Sequence, residues 1–299
     1  VHVAMHNYEP DSLCYFVMLS YDYWKTTTID GIFDEEWLAA AKLILQTFEI
    51  EQHHGEQSKY TYPELRDGQG SKVCYTGMTW AGFRPSDDPC TYHYLIPTNM
   101  FAVVACQRIA EIATVIFGDT QVAQHATALA KQIDDGIHEH GVIQHPVHGK
   151  IYAYEVDGCR AHLTMDDANI PSLFSAPYLS YKSPHDPQNS IYDATRKYIL
   201  SPDNPWFFSG SVARGIGSPH TSTGRVWHLS LIMQALTGSN DELAEMLTVL
   251  QNTDAGSNMM HESFNPSSPS SFTRHWFAWA NSLFGEMIQT KLDVIKTLP

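Results

Sequence analysis

The sequence predicts an all-α protein built from helical hairpins, with one small β-hairpin inserted between them. Three observations support this fold class. Apolar residues recur at helical spacing in about ten segments, most of these segments follow one another as pairs, and strands do not alternate with helices. Because 43% of the 299 residues are hydrophobic, the chain can fill a sizeable core, and we treat residues 1–299 as one domain.

Five helical pairs are predicted along the chain. They cover residues 11–25 with 34–51, 97–118 with 120–139, 166–179 with 188–200, 225–236 with 243–250, and 271–286 with its continuation to 298. In the first pair, Trp37, Ala41 and Ile44 recur at helical spacing. In the second pair, the helix from Pro97 is apolar on more than one face and the helix from Thr120 is more polar. A buried helix followed by a surface helix is therefore expected.

Local turn and capping signals mark the remaining elements. Pro171 is tolerable only in the first turn of its helix, and Ser239 with Glu242 predicts a capping box. A His148-Gly149 turn followed by alternating residues predicts a β-hairpin within residues 142–156. The polar segment 53–79 is too long for a simple connection, and we expect it to lie over a pocket mouth.

Composition narrows the possible partners. The chain has 18 basic and 33 acidic side chains, a net charge of −15 with histidine neutral. Such a charge disfavours nucleic acid and anionic membranes, and a neutral substrate fits better. No run of about 18 apolar residues is evident, so no membrane-spanning helix is expected. The five cysteines, an odd number without a Cys-x-x-Cys pair, predict neither a disulfide framework nor a zinc site.

The segment from Trp80 to Pro97 is the first candidate for chemistry. Its adjacent Asp87 and Asp88 repel each other, so they need separate partners or one of them has a raised pKa. Arg84 is the nearest candidate partner. Prolines stiffen this loop and aromatic rings surround the carboxylates, a combination typical of sugar pockets. The same residues fit, about equally well, a loop that caps the helix beginning near Pro97.

Other polar and aromatic residues lie in loops that precede the more buried helix of each pair, and hence on one side of the molecule. The candidate sugar-binding residues are Trp80, Arg84, Asp166, Asp167, Asn169, Trp206, His220 and His261. Glu262 lies between apolar neighbours, where a carboxylate suits acid–base catalysis. The competing interpretation of Glu262 is a salt bridge to Arg274 or a helix start.

Three rival sites are weaker. Gly215-Ile216-Gly217 is followed by no lysine and preceded by no predicted strand, so a phosphate loop is disfavoured. The pair His261-Glu262 lacks the second histidine of a metalloprotease motif. A cluster of histidines without regular helical spacing fits adventitious metal binding better than a catalytic site. Its members are His138, His140, His145 and His148, with His53 and His54 elsewhere in the chain.

Motifs distributed almost from end to end resemble one known family. They are Asp11-Ser-Leu-Cys-Tyr, Tyr23-Trp-Lys, Gly82-Phe-Arg-Pro-Ser-Asp-Asp, Ile96-Pro-Thr-Asn-Met-Phe-Ala, Met165-Asp-Asp-Ala-Asn-Ile-Pro-Ser-Leu, Gly215-Ile-Gly-Ser-Pro-His-Thr, Trp227-His-Leu-Ser-Leu-Ile-Met-Gln, Met260-His-Glu-Ser-Phe, Phe272-Thr-Arg and Trp276-Phe-Ala-Trp-Ala-Asn-Ser-Leu-Phe-Gly-Glu. With these motifs, the chain resembles the exo-α-1,6-mannosidases of glycoside hydrolase family 125.

The resemblance implies an (α/α)6 barrel and hydrolysis of terminal α-1,6-linked mannose from glycans, with inversion and without a metal or other cofactor. It places the general acid in the Asp87–Asp88 pair and the general base at Glu262. An inactive, carbohydrate-binding relative is the alternative. Compared with the family, the chain lacks an N-terminal motif and the helices around it. We therefore expect uncovered apolar faces at Leu13, Phe16 and Val17, and at Phe277, Leu283 and Phe284.

Overall fold

The computed structural model describes residues 8–298 and shows a helix-rich chain with short β-strands. The described residues form two compact units. The first comprises residues 8–144, 152–163 and 179–190, and the second comprises residues 145–151, 164–178 and 191–298. The single domain expected over residues 1–299 stays a prediction.

The first unit contains the first two predicted helical pairs. Its helices are α1 (Pro10–Thr27), α2 (Glu35–Gln52), the short α3 (His54–Gln57), α4 (Ile96–Ile112) and α5 (Thr120–Gly141). Its strands and those of the predicted hairpin are β1 (Tyr94–Leu95), β2 (Val142–His145), β3 (Gly149–Tyr152), β4 (Glu155–Val156) and β5 (His162–Leu163). Strands β1, β4 and β5 form an antiparallel sheet in that order. The β2–β3 hairpin lies where the chain passes from the first unit to the second and back.

Side-chain caps and burial explain why these helices form where predicted. Asp34 accepts a hydrogen bond from the Trp37 amide at 2.8 Å, and Asp119 accepts one from the Val122 amide at 3.0 Å. Helix α4 is buried along most of its length and packs against α1 and α5. Helix α5 buries one face only. The predicted order of a buried helix followed by a surface helix is confirmed for this pair.

Two features of the first unit bear on expectations from the sequence, an apolar helix and a disulfide. Helix α4 and the following turn, Ile96–Phe117, are long and apolar enough to cross a membrane by length and composition, with a mean hydropathy of 1.7. More than half of this stretch is buried, as in a core helix. Cys74 and Cys159 form a disulfide although 85 positions separate them. The odd cysteine count reflects three free, buried thiols, those of Cys14, Cys90 and Cys106.

The second unit contains the remaining helices and most of the short strands. Its helices are α6 (Ser190–Ile199), α7 (His228–Thr237), α8 (Asn240–Thr253), α9 (Ala278–Thr290) and α10 (Leu292–Ile295). Its strands are β6 (Phe207–Ser209), β7 (Arg214–Ile216), β8 (Val226–Trp227), β9 (Ser263–Asn265) and β10 (Ser268–Thr273). Helix α7 packs against α8 and α9, and the predicted capping box of Ser239 and Glu242 opens α8. Because short strands occur in both units, the expectation of a single strand insertion is wrong.

The helix predicted over residues 166–179 is absent from the structure, which has turns there. The carboxylate of Asp166 accepts hydrogen bonds from the amides of Leu173 and Phe174, and Ser172 and Ser175 exchange bonds with each other. These side chains satisfy amides that a helix would pair with carbonyls, and Pro171 has no amide hydrogen to offer.

The last predicted helix begins later than expected. Residues 268–273 form β10, which pairs with β9, and α9 begins at Ala278. The apolar faces of α1 and α9, which we expect to be exposed, are exposed only in part. Phe16 is 41% exposed, whereas Val17 and Leu283 are buried.

Candidate active site

The segment with Asp87 and Asp88 is a tight loop in the first unit. The Arg84 amide donates to the Asp88 carbonyl at 2.8 Å, and the Asp87 amide donates to the Arg84 carbonyl at 2.9 Å. The side chain of Asp87 is exposed and its backbone is left-handed, with φ 67°. The half-buried carboxylate of Asp88 accepts a hydrogen bond from Ser86 Oγ at 2.8 Å. The two carboxylates thus occupy different environments on one rigid turn.

Arg84 holds this loop in place through Glu155. Arg84 Nε lies 2.6 Å from Glu155 Oε1, and both side chains are buried. The other Glu155 oxygen accepts from the amides of Thr91 and Tyr92 at 2.8 and 3.0 Å. A buried ion pair whose carboxylate is hydrogen-bonded through both oxygens anchors a loop well, because breaking it leaves an uncompensated charge. Arg84 was the nearest candidate partner for Asp87 and Asp88, and the structure instead pairs its Nε with Glu155.

A third carboxyl group belongs to the same electrostatic environment. Asp11 lies at the start of α1 and is half-buried. Burial raises the pKa of Asp11 to about 7, and the negative charges of Glu9 and Asp87 also raise it. The sequence marked Asp11 only as the first residue of a family motif.

Trp80 does not offer a free ring face. Its indole is 1% exposed and lies parallel to the His54 ring, with 3.5 Å between ring centroids and 1° between planes. The ring of His93 is also stacked with it, at 4.8 Å. Trp80 is therefore a packing residue between these rings, and almost none of its surface is open to a ligand.

Glu262 lies in the second unit, directly before β9. Its side chain is 6% exposed, and Arg274 Nε lies 2.9 Å from its Oε1 atom. The Arg274 side chain is 58% exposed, and its backbone is left-handed, with φ 47°. The salt bridge considered as the competing interpretation therefore exists. It also gives a largely buried carboxylate a partner of opposite charge.

Two histidines hold the backbone beside Glu262. His228 Nδ1 accepts a hydrogen bond from the His261 amide at 2.8 Å, so its proton is on Nε2, which lies 3.0 Å from Thr253 Oγ1. The buried His261 ring lies on Phe272 at 3.8 Å, and its Nδ1 contacts the carbonyls of Arg274 and His275. The His261 side chain thus links the segment of Glu262 to residues 272–275. The sequence marks His228 only as the second residue of a family motif, because its partners Thr253 and His261 lie 25 and 33 positions away.

The predicted sugar-binding cluster at Asp166, Asp167 and Asn169 is buried, with each side chain at most 1% exposed. Asp166 accepts two amide bonds, and Asn169 Nδ2 donates to Asp167 Oδ1 at 2.6 Å and contacts Ser218 Oγ at 3.4 Å. Burial raises the pKa of Asp166 to about 8. These residues shape a loop that is also tied to the Gly217 carbonyl by the Ala168 amide.

The last two predicted residues are more accessible. Trp206 is half-buried, and its carbonyl accepts from the Gly217 amide at 2.8 Å. His220 is exposed, with its ring edge-on to Trp227 at 6.2 Å. Strand β7 contains Gly215 and Ile216, so most of the Gly215–Gly217 segment is extended strand and not a glycine turn. Both side chains remain candidates for ligand contact.

Within residues 8–298, no group of three or more His, Cys, Asp or Glu side chains is arranged to hold a metal ion. Among the clustered histidines, His138 stacks on His185 in the first unit. His145 and His148 lie 5.0 Å apart, centroid to centroid, in the second unit, where His148 contacts Asp203.

We predict that the burial of His228 makes one part of the stability of the fold sensitive to acid. Burial lowers the pKa of its imidazole from 6.5 to about 4, so the unfolded chain binds this proton first as the pH falls. The stability that His228 contributes is complete above pH 6.5 and is lost between pH 6.5 and 4, to a total of about 3 kcal/mol. Asp166, with its raised pKa, acts in the opposite direction over an overlapping range.

Urea unfolding of the wild type and of His228→Gln at pH 7 and pH 4.5 checks this, since the Asp166 contribution cancels in the comparison. We expect the variant to be less stable at pH 7 and to lose less stability on acidification. Equal losses in the two proteins would contradict the prediction.

Comparisons with known proteins place the chain in a family. A sequence model described as metal-independent alpha-mannosidase (GH125) matches residues 1–289. The chain is 41% identical over 312 residues to the meiotically up-regulated gene 157 protein of Schizosaccharomyces pombe, covering 98% of this chain and 60% of that protein. It therefore spans about 60% of the length of this curated relative.

A solved Streptococcus pneumoniae structure superposes on 99% of this chain and 71% of its own, with a TM-score of 0.89 and 40% identity. That protein is described as belonging to a family of metal-independent alpha mannosidases, in a non-productive substrate complex with alpha-1,6-mannobiose. The family match over nearly the whole chain confirms the resemblance seen in the motifs. This chain belongs to glycoside hydrolase family 125, the metal-independent α-mannosidases.

Proposed function

We propose that this chain is the catalytic part of an exo-acting, inverting α-mannosidase that releases terminal α-1,6-linked mannose from glycans. The observation that carries the proposal is its likeness, at 40% identity and TM-score 0.89, to a protein crystallised with alpha-1,6-mannobiose. The net charge of −15 agrees with a neutral sugar as substrate.

Two carboxyl positions supply the chemistry in this proposal. One carboxyl group of the Asp87–Asp88 pair donates a proton to the glycosidic oxygen as the bond to mannose breaks. Glu262 takes a proton from a water molecule that attacks the opposite face of the sugar. This single displacement inverts the anomeric centre, and the carboxyl groups need to be about 6.5 to 9.5 Å apart to admit the water. That separation stays a prediction.

The surroundings of the carboxyl groups suit these roles. Arg274 Nε lies 2.9 Å from Glu262 Oε1, so the proposed base is held in position beside an opposite charge. The Arg84–Glu155 pair fixes the loop of Asp87 and Asp88, which supports a role for one of them as a pre-positioned acid. No step in this scheme needs a metal ion.

We also infer that the helices belong to an (α/α)6 barrel. The support is the alternation of a buried helix with a surface helix, as in α4 and α5, and the polar and aromatic loops before the buried members.

Turnover of α-1,6-mannobiose in the presence of a chelator tests the proposal. We expect release of mannose with β configuration in the first-formed product, unchanged by chelator, and much slower release from α-1,2- and α-1,3-linked isomers. Proton NMR of the anomeric signals measures both linkage and stereochemistry. Binding of the disaccharide without any turnover would instead support the inactive, carbohydrate-binding alternative.

A further inference from the structure

Trp276 stands out because its large indole ring is exposed to solvent. All seven tryptophans of the sequence lie within residues 8–298, and Trp276 alone among them is exposed, at 59%. The structure shows no hydrogen bond or ring contact for its indole within those residues. An exposed indole gives up the favourable burial of a large apolar surface, so packing within the described fold does not explain it.

The backbone on both sides of Trp276 is fastened to the segment that carries Glu262. Arg274 Nε lies 2.9 Å from Glu262 Oε1, and the carbonyls of Arg274 and His275 accept from His261 Nδ1 at 3.1 and 2.9 Å. After Trp276, the Phe277 amide donates to the Met260 carbonyl at 3.3 Å.

These bonds fix the position of Trp276 relative to Glu262. Asn281 adds a further tie to Met260, because its side-chain amide donates to the Met260 carbonyl at 2.8 Å and its Oδ1 accepts from the Met260 amide. The exposed ring therefore stands on a rigid turn, bound to residues 260–262 on both sides.

We propose that Trp276 is the platform for the leaving-group sugar and determines specificity for a disaccharide or glycan over simpler mannosides. An exo-acting enzyme buries the terminal sugar and leaves the next one toward solvent. An exposed aromatic ring on a turn bonded to the segment of the base suits that second position, since the C–H face of a pyranose packs on an indole. The proposal rests on the mannosidase function given above.

The test compares two substrates that differ in their leaving group, α-1,6-mannobiose and α-mannosyl fluoride. Fluoride carries no second sugar, so the ratio of their kcat/KM values isolates the contribution of the platform. We expect Trp276→Ala to lower the ratio of mannobiose to fluoride by about 10- to 100-fold, and Trp276→Phe to retain most of it. Tyr23→Ala removes an exposed ring in the first unit and should leave the ratio unchanged.

An equal loss on both substrates in Trp276→Ala, or a ratio equal to that of the wild type, would overturn the proposal. The affinity for mannobiose, measured by calorimetry in the Glu262→Gln background, separates this result from failure of the proposed function. If the wild type hydrolyses neither substrate but the affinity still falls about tenfold or more without Trp276, the sugar platform stands and the mannosidase function fails. If the affinity does not depend on Trp276, the platform fails.

Discussion

Glu262→Gln is expected to lower kcat for α-1,6-mannobiose by about 10²- to 10⁴-fold, the usual contribution of a general base. Glutamine keeps the shape of the side chain and can still accept a hydrogen bond from Arg274 Nε, but it cannot take a proton from water. Binding of mannose should be largely retained, so the effect should fall on kcat and spare KM.

The matched control is Glu286→Gln. Glu286 is an exposed carboxylate on α9 that accepts hydrogen bonds from Tyr178 Oη at 3.0 and 3.1 Å, and we place it outside the catalytic machinery. Its substitution should leave kcat within about twofold, as expected for a surface change. Thermal unfolding shows whether Glu262→Gln is folded, since Arg274 is 58% exposed and can turn to water once its partner is neutral. A folded Glu262→Gln protein with unchanged turnover would remove Glu262 from the base role.

The parts of the fold that could be predicted from the sequence depend on neighbouring residues. The hairpin of α1 and α2, the pair of α4 and α5, and the capping box of α8 all follow from periodicity and caps within a few positions. The helix expected at residues 166–179 fails because Asp166 takes amides seven and eight residues ahead of it, a pattern that no helical periodicity contains.

The candidate site shows the same division. Asp87, Asp88 and Glu262 carry a local signal, because each lies in a motif with aromatic or apolar neighbours. The residues that hold them in place carry no such local signal. Glu155 is 71 positions from Arg84, and His228 is 33 positions from His261, so single-sequence reasoning has no means of pairing them. The polarity of Asp166, Asp167 and Asn169 makes them candidates for sugar binding, yet the structure buries them among hydrogen bonds within and between loops.

Replacement of the proposed general acid is also expected to slow hydrolysis strongly. We expect Asp87→Asn or Asp88→Asn, whichever removes the donor, to lower kcat/KM for α-1,6-mannobiose by about 10²- to 10⁴-fold and the other to have a much smaller effect. Asparagine tolerates a left-handed backbone well, so Asp87→Asn should preserve the turn at φ 67°. Asp88→Asn changes the acceptor of the Ser86 hydroxyl, so its folding needs a separate check by thermal unfolding.

The leaving group distinguishes loss of an acid from loss of loop structure. Fluoride departs without protonation, so the variant that lacks the acid should hydrolyse α-mannosyl fluoride at a rate within about tenfold of the wild type while failing on mannobiose. A distorted loop would slow both substrates alike, because it would misplace the sugar in either case. If both single variants act on mannobiose as fast as the wild type, the acid lies outside the Asp87–Asp88 pair. Asp11, whose pKa burial raises to about 7, would then be the next carboxyl group to replace.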